Sequence, residues 1–112
     1  MHELVKRLRR FAEEREWEQF HSPKNLSMAL SVEVAEIVEH FQWLTEEESR
    51  CLGDDKRAEL AEEIGDVMIY LVNLSDKLGI DPLRAASEKL DKNEKKYPVG
   101  LVKGKSLKYT EY

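Results

Sequence analysis

The sequence predicts an all-α fold, an antiparallel four-helix bundle, on three observations. Apolar residues recur at helical spacing along four stretches. No segment alternates apolar and polar residues with period two for long. Chain breakers are scarce, with three prolines and five glycines among 112 residues. Short connections between four helices favour antiparallel neighbours.

The first helix is expected over residues 2–16, where Leu4, Leu8, Phe11 and Ala12 share one face. EWEQFHSPKN follows and reads as a loop marked by Pro23, dense in aromatic character at Trp17, Phe20 and His21. A second helix is expected from Leu26 to Trp43, capped by Asn25 or Ser27, with Leu26, Leu30, Ile37 and Phe41 along its apolar edge. TEEESRCLGDD is a connector with room for one short helical turn. The third long helix, Lys56 to Leu78, carries Leu60, Ile64, Val67, Leu71, Leu74 and Leu78 in a heptad-like seam. Gly79 is its expected stop. Asp81 then caps a last helix, with Pro82 at its first position, that runs to Lys96. The tail 99–112, with two glycines and three lysines, reads as irregular.

Length makes the chain 1–112 a single domain, and a core this small is often completed by self-association. Apolar residues are 41% and charged residues 37%, too apolar for disorder and suited to amphipathic helices. The formal charge of −5 argues against nucleic acid as a partner, since duplex affinity comes largely from basic residues. Cys51 stands alone, which excludes an internal disulfide and a cysteine zinc site. The N-terminus, MHELVKRLRRF, is too charged for a signal peptide, and no stretch has the length of a membrane span. The expected location is cytoplasmic, with no membrane partner.

Glu33 and Glu36 lie three apart on the second helix, as do Glu63 and Asp66 on the third. Such pairs are separated by about 60° and about 4.5 Å, so they can converge on one ion. Four carboxylates around a cleft make a hard, oxygen-only site suited to Mg²⁺ or Mn²⁺. No Glu-x-x-His motif lies on the two helices that carry them, which disfavours a di-iron bundle. The competing reading is a solvated acidic face. Against it, Glu33 sits in SMALSVEVAEIVEHF with few basic partners, and Glu63 is about 40° around the helix from Val67 in the seam.

Glu-x-x-Glu followed by Glu-x-x-Asp, 27 residues after the second Glu, resembles the all-α nucleotide pyrophosphohydrolases of the MazG type. WEQFHSPKNLSMAL, EVAEIVEHFQWL, EEIGDVMIYLVNL, DKNEKKYP and KYTEY bring the chain closest to the dCTP pyrophosphatase branch, over nearly its whole length. The resemblance implies hydrolysis of a nucleoside triphosphate to the monophosphate and pyrophosphate. It also implies Glu33, Glu36, Glu63 and Asp66 as Mg²⁺ ligands and catalytic groups. Around the nucleoside it puts Trp17, His21, Trp43 and Tyr70, with Lys89, Asn93 and Lys96 nearer sugar and phosphates. A homo-oligomer, a dimer at least and commonly a tetramer, is implied as well.

Those residues suit the roles, although each has a plainer reading. Flat bases stack on aromatic faces, but Trp17 and Trp43 also serve as helix-end anchors and Tyr70 as a core tyrosine. His21 can be satisfied by backbone, and Lys89 and Lys96 by solvent. Two positions depart from the branch: Glu94 replaces a basic residue, and Leu8 replaces a pocket histidine. Both bear on the choice of base more than on hydrolysis. Two rivals remain, a broad MazG-like enzyme acting on several (d)NTPs and a non-enzymatic helical interaction module.

Overall fold

The computed structural model describes residues 1–104, with Val102 by its backbone alone. All regular elements among the described residues are helical: α1 (His2–Glu14), a 3₁₀ turn (Glu18–Phe20), α2 (Pro23–Phe41), α3 (Glu46–Arg50), α4 (Asp54–Lys77), α5 (Pro82–Lys96) and α6 (Val99–Val102). The four long helices are the four expected. They divide into one compact unit, Met1–Ile80, and a second beginning at Asp81.

Local chemistry sets the helix ends. α1 closes with Glu16 in the left-handed region, φ 54°, while the Trp17 amide donates to the Ala12 carbonyl at 2.9 Å. α4 closes the same way through Gly79, φ 67°, with the Ile80 amide on the Ser75 carbonyl at 2.9 Å. Asp81 accepts from the Leu83 and Arg84 amides and so caps α5, with Pro82 in its first turn, as expected. Thr45 and Glu48 form a reciprocal capping box that starts α3, the short helical turn of the connector.

The start of α2 differs from expectation. Ser22 is the cap, its hydroxyl accepting from the Asn25 amide at 3.1 Å, and Pro23 opens the helix instead of marking a loop. Proline's fixed φ suits a first helical turn, where its missing N–H is not needed. In the tail, Val99–Val102 is helical and not irregular; the rest of the expected tail, from 105 onward, lies outside the described residues.

α2 and α4 pack against each other and run antiparallel. Glu33 neighbours Asp66, Glu36 neighbours Glu63, and His40 neighbours Glu59, so rising numbers on one helix meet falling numbers on the other. Leu26 and Leu60 are buried. α1 also packs on α4, and Ala12 and Val72 are buried. Arg9 grips Asp76 there through Nε and one terminal nitrogen, at 2.9 and 2.6 Å, and the guanidinium holds the Asp76 carboxyl below its ordinary range.

The seam expected on α4 is only partly buried. Leu60 is inside, but Ile64, Leu71 and Leu78 are exposed, while Val72 and Ser75, outside the seam, are buried. α4 meets two partner helices at once, so its buried surface splits into two stripes. A single heptad line cannot describe both.

Candidate active site

Antiparallel packing brings the two acidic pairs together. Glu33, Glu36 and Glu63 each present a carboxylate oxygen, all within 4.8 Å of one another, and all three residues are half-buried. Asp66 lies close enough to act electrostatically on Glu33 and Glu63. Glu33 Oε2 and Glu63 Oε2 are buried and have no hydrogen-bond partner. A buried, unpartnered carboxylate oxygen is costly unless a proton or a cation meets it. Burial first, then the adjoining Glu36 carboxyl, pushes Glu33 above its ordinary value of 4.5. Glu63 is also pushed up, chiefly by hydrogen bonding to the Glu36 side chain and then by burial, with His40 acting in the opposite sense. Clustered like charges raise carboxyl pKa values in this way. The donor set, all hard oxygens with two of them orphaned, fits a divalent cation such as Mg²⁺.

Beside this cluster, between α1 and α4, lies a cavity of about 690 Å³, within the range of small-molecule sites. Asp66 forms part of its wall, and so do Trp17, His21 and Tyr70. Phe11 packs edge-on against Trp17 at 5.6 Å, and the Arg15 guanidinium lies 3.8 Å over the Phe11 ring. Trp17 is 44% exposed, so it is a cavity wall and not a core anchor.

Trp43, Lys89, Asn93 and Lys96 are not among the residues of that wall. Trp43 follows the end of α2, is 87% exposed and takes no part in the cavity wall. Lys89, Asn93 and Lys96 lie on one face of α5 at i, i+4 and i+7, in the second unit. Leu8, flagged as a departure, lines the cavity. Several wall residues escaped the sequence reading, notably Arg7, Arg10 and Asn73. Basic residues on a short amphipathic helix look like a solvated face. The available signal was their place beside the Leu4–Leu8–Phe11 stripe.

The sequence model of the MazG-like family matches residues 28–111. The chain belongs to the MazG-like family. This MazG-like chain is 47% identical over 103 residues to dCTP pyrophosphatase 1 of Rattus norvegicus and 48% identical over 103 residues to that of Homo sapiens. Each match covers 90% of this chain and 61% of the relative, so the chain spans about three-fifths of the length of these curated relatives. Among solved structures, a pyrophosphatase from Archaeoglobus fulgidus is 44% identical and superposes with a TM-score of 0.83, covering 88% of this chain and 92% of that one. Glu33, Glu36, Glu63, Asp66 and Tyr70 all fall inside the segment that matches the MazG-like family.

Proposed function

We propose that the chain is a Mg²⁺-dependent nucleoside triphosphate pyrophosphohydrolase, acting on a dNTP, dCTP or a modified dCTP, and releasing the monophosphate and pyrophosphate. The observation that carries this reading is the convergence of Glu33, Glu36 and Glu63 around two orphaned oxygens, with Asp66 shared between that cluster and the aromatic cavity. The dCTP pyrophosphatases of rat and human supply the substrate class.

In this reading Glu33, Glu36, Glu63 and Asp66 hold the metal. A Mg²⁺ held there would neutralise triphosphate charge and help orient a water. Trp17, His21 and Tyr70 enclose the base and keep bulk water from it. Water attacks the α-phosphorus, the bond to the bridging oxygen of pyrophosphate breaks, and Glu33 or Glu36, whichever is less committed to the metal, takes the water's proton. Lys89, Asn93 and Lys96 serve the sugar and phosphates from α5. Residues 1–112 act as one MazG-like domain.

A homo-oligomer, a dimer at least and a tetramer by family habit, accompanies the activity. Met28, Val32, Val38, Ile64 and Leu78 are each more than half exposed in the single chain, an apolar burden that association would cover. No helix among the described residues is long and apolar enough to cross a membrane, and a cytoplasmic location fits the pool of such substrates.

A broader (d)NTP preference has one observation in its favour: Leu8, which stands in place of the branch's pocket histidine, lines the cavity. Pyrophosphate release measured with Mg²⁺ over a panel of nucleoside triphosphates decides between the two. A dominant dCTP signal supports the narrow reading, an even profile supports the broad one, and silence with every nucleotide overturns both.

A further inference from the structure

His40 lies one turn beyond Glu36 on α2 and is not needed by the scheme above. Its side chain is 16% exposed and stands between two residues of α4. Lys56 Nζ is 3.3 Å from His40 Nδ1. Glu63 Oε1 is 3.9 Å from His40 Nε2. Glu59 Oε2 adjoins both sides of the first contact, 3.8 Å from Nδ1 and 3.5 Å from Lys56 Nζ.

A lysine ammonium donates hydrogen bonds and cannot accept them. In the tautomer that lets Lys56 donate, Nδ1 is the accepting nitrogen and the ring proton is on Nε2, the nitrogen 3.9 Å from Glu63 Oε1. Which imidazole nitrogen carries the proton is set by the partner of the other one. Glu63 Oε1 is then 3.9 Å from that N–H, an electrostatic contact longer than a hydrogen bond, while its Oε2 is buried and unpartnered among the acidic groups.

We propose that His40, with its tautomer fixed by Lys56, is a positioning residue that orients the Glu63 carboxylate so that Oε2 faces the cation. The proposal rests on the metal reading given above. Partners of this kind hold metal ligands in their productive rotation, and losing one typically weakens metal binding roughly 10–100-fold.

Two measurements on the full-length chain test it. The first is the ring ¹⁵N spectrum of His40 without metal, which reports the tautomer directly. A proton on Nε2, lost in part when Lys56→Met frees Nδ1, is the expected result; a proton on Nδ1, or a spectrum unmoved by Lys56→Met, overturns the relay. The second is Mn²⁺ binding followed by electron paramagnetic resonance. His40→Leu is expected to weaken binding roughly 10-fold or more, while His40→Gln, whose amide can donate near the Nε2 position, stays within about a factor of 3. Equal affinity of His40→Leu and the unaltered chain overturns the positioning role and leaves the metal site standing. An unaltered chain that binds no Mn²⁺ overturns the metal reading and this proposal with it. Should His40→Leu fail to fold, a His40→Gln variant that binds poorly gives the same refutation.

Discussion

Glu33 on α2 and Glu63 on α4 each bury one carboxylate oxygen, Oε2, without a hydrogen-bond partner, and they do so in the same acidic cluster. Two orphaned acceptors facing one locus from different helices are where the proposed cation would sit. Glu63→Gln keeps the shape and removes the charge. It is expected to reduce kcat by roughly 10²-fold or more, the scale of removing one electrostatic contact to the reacting group. Circular dichroism should show the helices intact, and normal turnover in that variant would remove Glu63 from the metal site.

The same pair implies a pH dependence. Glu33 and Glu63 titrate above the ordinary 4.5 in the folded chain. A carboxyl whose folded pKa is raised favours the fold while protonated, and that contribution is lost as pH rises through the raised value. The metal-free chain should therefore unfold at lower temperature as pH climbs above that ordinary value. Metal needs the ionised form, so Mg²⁺ affinity should rise over the same window, with protons released on binding. Calorimetry in buffers of different ionisation enthalpy reads the proton release directly; binding without it would contradict the assignment.

Part of this was legible in the sequence, for local reasons. Gly79, Asp81 and Pro82 revealed a helix stop, a cap and a start because each meets a backbone demand inside one turn. The i, i+3 spacing of the carboxylates showed which groups share a face, and antiparallel pairing then brought Glu33, Glu36 and Glu63 together. Features that depend on two helices meeting were not legible. Pro23 looks the same as a loop breaker or as a first helical residue, and the hydroxyl of Ser22 made the difference. Leu71 and Val72 are equally apolar, and only packing against neighbouring helices decides that Val72 is the buried one. Arg10 became a cavity residue for the same reason.

Trp17 and Trp43 now make different predictions. Trp17 lines the cavity and is braced edge-on by Phe11. Base stacking contributes roughly 1–3 kcal/mol, so Trp17→Ala should raise KM roughly 10-fold with kcat little changed. Trp43 is off the wall of this cavity, and Trp43→Ala should change KM less than Trp17→Ala does. Steady-state kinetics on both variants checks the order, and the reverse order would move the base toward α2's end.

Glu16 holds a left-handed backbone that a non-glycine residue adopts at a cost, and Gly79 holds the equivalent place without one. Glu16→Gly should therefore raise stability by about 0.5–1 kcal/mol, less whatever glycine adds to unfolded-state entropy. Denaturant unfolding measures it. Because Trp17 follows directly and hydrogen-bonds back to Ala12, KM should stay unchanged if the turn geometry is retained. A loss of stability would mean that the Glu16 side chain supports the turn in some other way.

Arg10 bears on the choice of base. Its neighbour Arg9 is anchored to Asp76, ten residues and about 15 Å along α4 from Asp66. Arg10 lines the cavity one residue along α1 from that anchor. In the proposed reading its guanidinium would offer donors to acceptors on the base edge. Arg10→Ala should raise KM about 10-fold for the preferred nucleotide, in line with a hydrogen bond involving a charged group, and much less for the others. Rates measured on four dNTPs give the test. An equal rise for all four would place Arg10 on the phosphates and leave base selection to Leu8 and the aromatic wall.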